Sequence, residues 1–195
     1  MEKIDSTIVE LLSGVRHGLF KGTLDAAVAE HEFQATVYTN LFKLKRNVHK
    51  TRSFQSMAES ALNEQTADNA TFVIKDVLKA YKQGLAAIQA DETFTHRICK
   101  NYLSNEILLG NFPFSSKGML TSFVEIVIKL GIVRFIIALK AKDCTDSSRL
   151  ELYINTIQAF TKEYQHDADF KSNVQQVIKS NQLDNLRSAM RFGHV

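Results

Sequence analysis

Met119 to Leu139 reads MLTSFVEIVIKLGIVRFIIAL, the most apolar run in the chain. As a helix rising ~1.5 Å per residue it would be ~31 Å long, enough to cross a bilayer. Its charges argue otherwise. Glu125, Lys129 and Arg134 all fall inside it, and each charge near a bilayer centre costs roughly 2.5–3.5 kcal/mol on insertion scales. Glu125 and Lys129 form an i,i+4 pair, whereas Arg134, at ~100° per residue, points to the opposite face from Glu125. The run predicts the central helix of a soluble domain, packed on most of its sides. Arg134 sits among Ile132, Val133, Phe135, Ile136 and Ile137. Its charge persists near neutral pH, so burial demands a partner. Two readings stand: a structural ion pair or a rim position, or a pocket anchor for a carboxylate ligand.

Outward from this run the apolar spacing predicts further helices joined by short connectors. On the C-terminal side, Ser148-x-x-Glu151 reads as a capping box that opens a helix. Leu150, Tyr153, Ile154, Ile157, Phe160 and Tyr164 would form its apolar stripe. Two short helices, about 169–180 and 183–192, follow. On the N-terminal side lies the connector Gly110-Asn111-Phe112-Pro113-Phe114-Ser115-Ser116. Pro113 cannot continue a helix, and Gly110 suits the stop of the preceding one, about 92–109. Before it come helices over 68–89, with Asp68 as N-cap, over 53–64, over Leu24 to about Lys50, and over 4–13. Gly14, Gly18 and Gly22 have GxxxG spacing, but Arg16, His17 and Lys21 interrupt it, so it predicts a broken or tightly packed connection rather than a membrane contact.

The chain of 195 residues, 45% hydrophobic and 23% charged, fits one domain at ~150 residues per domain. One proline and eight glycines are too few turn residues for a sandwich or barrel. The predicted fold is all-α: a single bundle-like domain over 1–195, of about seven to nine helices, with 119–139 at its centre. Cys99 and Cys144 lie far apart without a CxxC pair, which predicts two reduced thiols in a cytosolic protein. Acidic Glu2, Asp5 and Glu10 exclude a signal peptide over the first residues. None of the six histidines forms HExxH, and no GxGxxG or Walker sequence is present, so no metal site and no catalytic residue is predicted.

The net charge of +3 is too small to announce nucleic acid, yet residues 43–52, KLKRNVHKTR, hold five Lys or Arg and no acid. On a helical wheel Lys43, Arg46 and Lys50 lie opposite Val37, Leu41, Leu44 and Val48. Three readings follow: solvated surface, a face for an acidic protein, or a face for an anionic membrane. No aromatic residues interleave with the cations, which argues against single-stranded nucleic acid.

Three further pieces carry a resemblance. They are Asn101-Tyr102-Leu103-Ser104-Asn105-Glu106-Ile107-Leu108 followed by Asn111-Phe112-Pro113-Phe114, then Ile128-Lys129-Leu130-Gly131-Ile132-Val133-Arg134-Phe135-Ile136-Ile137-Ala138, and then Thr156-Ile157-Gln158-Ala159-Phe160-Thr161-Lys162-Glu163-Tyr164-Gln165-His166. In order and spacing these resemble the C-terminal part of bacterial flagellin lysine-N-methylases, the FliB family, over about residues 96–180. Residues 1–90 carry no such piece. The resemblance implies a cytoplasmic enzyme that methylates flagellin lysines with S-adenosylmethionine. It also implies a cysteine-rich motif and an iron–sulfur cluster, which Cys99 and Cys144 cannot supply, since a cluster takes four thiolates. The expectation is therefore a C-terminal domain that scaffolds a catalytic N-terminal half or docks flagellin. The alternative is the ligand-binding, dimerising domain of a helical transcriptional regulator lacking its DNA-binding part. Candidate contact residues are Lys43, Arg46, Lys50, Tyr102, Asn105, Phe114 and Arg134. Tyr102 and Phe114 would bury apolar area, and Asn105 would hold the connector backbone.

Overall fold

A computed structural model describes residues 24–43, 53–65, 74–91, 93–142, 144–180, 182–183 and 185–193. The predicted helix 4–13, the Gly14–Gly18–Gly22 stretch, the Asp68 cap, and Arg46 and Lys50 lie outside these residues. The described residues form eight α-helices and no strand. They are α1 Leu24–Lys43, α2 Ser53–Asn63, α3 Ile74–Gln89, α4 Cys99–Leu109, α5 Met119–Ala141, α6 Asp146–His166, α7 Ala168–Ser180 and α8 Leu186–Gly193. A single π-helical turn, Thr93–Ile98, leads into α4.

α5 is the spine. It touches α1, α2, α3, α4, α6 and α8, and every residue from Gly131 to Leu139 is buried. A helix that is apolar nearly all round belongs in a core when other helices cover it, and here they do. Glycine permits the closest of these approaches. A Cβ on Gly84 of α3 would lie 1.8 Å from the Ala138 carbonyl oxygen of α5. One on Gly131 would lie 1.7 Å from the Tyr38 hydroxyl. Rings fill the remaining space, with Tyr81 and Tyr38 against Phe135, and Phe54 against Phe160 at 5.0 Å between centroids. Edge-to-face and tilted packing of this kind adds to the area that the rings bury.

Several predicted helix ends shift, and the reasons are tertiary. α6 starts at Asp146, not after Ser148, and its N-cap residue Thr145 makes no side-chain cap bond. Ser148 Oγ instead donates back to the Thr145 carbonyl at 3.0 Å within the first turn. The buried face of α6 is also rotated from the predicted stripe. Tyr153, Thr156, Phe160, Glu163 and Tyr164 are buried, while Leu150 and Ile154 are exposed. The rotation brings Glu163 onto the start of α2, where Oε2 accepts from the Phe54 and Gln55 amides at 3.2 and 3.3 Å. A carboxylate there satisfies orphan amides and complements the helix dipole.

α4 ends through Asn111, not Gly110. Gly110 keeps a helical backbone (φ −80°), and Asn111 takes the left-handed conformation at φ 52°. The Phe112 amide returns to the Ile107 carbonyl at 3.0 Å and the Asn111 amide to Leu108 at 3.3 Å, which is a Schellman stop. Gln182 (φ 51°) ends α7 in the same way, with the Leu183 amide on the Ile178 carbonyl at 2.8 Å.

Candidate functional site

Where α4, α5 and α6 meet the connector, five charged side chains and a tyrosine line a cavity of about 370 Å³. The Lys129 ammonium of α5 stands 2.8 Å from Glu106 Oε2 of α4 and 3.8 Å from Glu125 Oε1, one turn earlier. It also lies over the Tyr164 ring of α6, 4.3 Å from the centroid, within reach of a cation–π attraction. The Tyr164 hydroxyl donates to Glu125 Oε1 at 2.6 Å. Lys117, from the connector, donates to Glu125 Oε2 at 2.7 Å. Lys171 and Ser122 complete the polar wall.

The electrostatics follow from that geometry. Burial alone pushes the Glu125 carboxyl up. Hydrogen bonds from Lys117 and Tyr164, with the charges of Lys129 and Lys117, outweigh burial and hold it below the usual carboxylate range. Burial raises the Tyr164 phenol, and its bond to Glu125 and the two carboxylates raise it further. Tyr164 is a hydrogen-bond donor at any ordinary pH. Tyr102 is raised by burial and by the Glu106 charge.

Beside this cavity runs a ridge of exposed apolar side chains. Leu108 and Leu109 at the end of α4 are 73% and 68% exposed, and Phe114 on the connector is 83% exposed. Ile107, Met119 and Leu120 extend the ridge to the start of α5. Isolated exposed leucines are ordinary, but adjoining ones of this size mark contact surfaces. Leu109 lines both the polar cavity and a neighbouring hollow of about 270 Å³ between α4 and α6.

The residues singled out from the sequence scatter over this landscape. Tyr102 and Asn105 meet in the smaller hollow. Tyr102 is buried as expected, but Asn105 is exposed and makes no bond to the connector; the backbone stop around Asn111 holds that segment instead. Phe114 does the opposite of the expectation and projects outward. Its neighbour Phe112 packs toward Phe123, at 6.5 Å between ring centroids. Arg134 is 4% exposed and lines neither hollow. Its Nη2 donates to Gln34 Oε1 at 3.2 Å and to the Phe192 carbonyl at 3.1 Å. Both of these described partners are neutral oxygens. Phe192 lies at the C-terminal end of α8, where carbonyls lack intrahelical donors and a cation complements the dipole. Lys43 is the last residue of α1.

Glu106, Lys117, Tyr164 and Lys171 were not among the candidate contact residues, and the sequence placed Tyr164 only on an apolar stripe. Only the i,i+4 spacing of Glu125 and Lys129 announced the site; the other members come from separate elements. Among the described residues no group of three or more His, Cys, Asp or Glu could hold a metal ion. Burial pushes the Cys99 thiol up to about 11, away from the thiolate that ligation requires. The two thiols do not fit an iron–sulfur cluster.

Fold and site together define an all-α domain that carries a polar cavity beneath an exposed apolar ridge. The chain belongs to the FliB lysine N-methylase C-terminal domain family, which matches residues 1–192. That span reaches beyond the 96–180 region of the resemblance, and it takes the place of the regulator alternative. No curated protein and no solved structure matches the chain significantly. No described helix is long and apolar enough to cross a membrane.

Proposed function

We propose that this domain docks flagellin for lysine methylation, while S-adenosylmethionine and the methyl-transfer chemistry belong to another part of the methylase, in the cytoplasm. The observation that carries this reading is the exposure of Leu108, Leu109 and Phe114 around the hydrogen-bonded stop of α4, with Leu109 also lining the charged cavity. Methyl transfer to lysine needs the amine aligned with the methyl donor, so holding the protein substrate is a large part of the catalysis. A docking domain contributes that without an acid, base or metal of its own. Scaffolding of the catalytic half is the competing role for the same ridge. The basic segment with Lys43, Arg46 and Lys50 fits as a second, salt-sensitive contact, since exposed charges are screened beyond ~10 Å at 0.1 M salt.

The test is capture of purified flagellin by the wild-type chain and by a Leu108→Asp, Phe114→Asp variant. Both positions are exposed, so the variant keeps its helical circular dichroism and loses about tenfold or more in affinity, as central apolar contacts do. Unchanged capture by a folded variant overturns docking at this ridge. Charge reversal at Lys43, Arg46 and Lys50, read by flagellin capture and by flotation with anionic liposomes, separates a protein contact from a membrane one.

A further inference from the structure

We propose that the cavity between α4, α5 and α6 is a receptor for a lysine side chain of a docked protein, with Lys117 as its exchangeable internal occupant. The proposal rests on the docking reading only for where the incoming lysine comes from. Among the buried side chains of the wall, two carboxylates face one cation, and the second cation comes from outside the helices. Glu106 and Glu125 have side chains 11% and 10% exposed, and Lys129, at 14%, is the cation placed between them by the helices. Two carboxylates against one buried ammonium leave one negative charge in excess, and Glu125 Oε2 is the oxygen open to a second cation, since Lys129 approaches Oε1. Lys117 neutralises it from the connector, with its own side chain 41% exposed. Lys171, exposed at the rim, stands 6.0 Å from the Tyr164 centroid and joins neither carboxylate pair.

A second observation points into the same space. Ser122 lines the cavity and is 7% exposed, yet its Oγ has no hydrogen-bond partner among the described residues. A buried hydroxyl without a partner is costly, and its lone pairs suit an ammonium, which has three donors to place. The Glu125 carboxylate, once Lys117 leaves it, and the unpartnered hydroxyl of Ser122 form the recognition set for an alkylammonium, beside the Tyr164 ring that Lys129 covers. Lys129 already displays how such a group sits. The cavity of about 370 Å³ gives room for the alkyl stem beside the Lys117 contact.

Lys117 competes as a tethered ligand, at an effective concentration in the millimolar range for a short connection. The experiment titrates the full chain with Nα-acetyl-lysine-N-methylamide, followed by isothermal calorimetry and by amide shifts around Ser122. Lys117→Ala should bind this probe about tenfold more tightly than wild type, because the tethered competitor is gone. Adding Glu125→Gln should abolish the gain, and Ser122→Ala should reduce it if the Gln variant does not fold. The uncharged Nα-acetyl-norleucine-N-methylamide should not bind. Equal binding by wild type and Lys117→Ala overturns the proposal, as does preference for Nα-acetyl-glutamate, which would make the cavity an anion site. The free probe does not need the ridge, so Leu108→Asp should keep probe binding while losing flagellin. Failure of docking and failure of the receptor are thereby read separately.

Discussion

At the scale of single residues, two glycines set how closely the helices meet. Gly84→Ala would gain about 1 kcal/mol of helix propensity. It would also drive a Cβ against the Ala138 carbonyl, built at 1.8 Å, and backbone cannot swing aside as a flexible side chain can. Overpacking of this kind costs up to about 3 kcal/mol, so the expected net loss is about 2 kcal/mol. It is read as a lower urea midpoint with an unchanged slope. None of this is visible in the sequence, where Gly84 interrupts an otherwise ordinary helical run. Arg134 shows the opposite case. Its burial was legible from five apolar neighbours, but its partners were not. The described ones come from α1 and from the end of α8, 100 and 58 positions away in the chain. Local spacing carries no information about such pairs.

At the scale of elements, the apolar periodicities located the described helices well, and their ends less well. The 3–4 spacing of Val77, Tyr81, Leu85 and Ile88 corresponds to a buried face of α3, because burial of one stripe is what that spacing encodes. Ends are decided otherwise. Glu163 caps α2 from α6, and Gln34 and Arg134 bond the last carbonyls of α8 from α1 and α5. A capping box read at Ser148 looks only along the chain and misses caps that arrive across it. The stop at Asn111 is local, and it gives a direct test. An L-residue in the left-handed region costs roughly 1–2 kcal/mol, and asparagine pays less than most. Asn111→Ala should lower stability by about 1 kcal/mol, while Asn111→Gly should match or exceed wild type in thermal midpoint. Equal midpoints for the alanine and glycine variants would mean that the connector does not depend on this conformation. The site was less legible than the helices because Glu106, Lys117, Lys129 and Tyr164 become neighbours only through packing.

At the scale of the whole molecule, α5 was recognisable as the centre from Met119 to Leu139 because it is too apolar to leave in water and too charged for lipid. The structure adds what its charges do. Glu125 and Lys129 face the cavity, and Arg134 faces the core, where it joins α1, α5 and α8. Arg134→Leu strips the Phe192 carbonyl of its donor, which costs about 1–3 kcal/mol. Loss of a carboxylate partner would cost more, about 3–5 kcal/mol, so the measured drop in chemical stability discriminates between the two environments. The same junction has a temporal meaning. Gln34 is bonded to the Arg191 carbonyl, 157 positions further along the chain, and Arg191 pairs with Glu30. Helical proteins fold fast when their contacts are local, and long loop closures slow them. On a ribosome that delivers the chain from its N-terminus, the bonds from Gln34 and Arg134 to the last carbonyls of α8 form only after α8 has emerged. Of the described helices, α8 is the last in chain order, and it closes the core around Arg134.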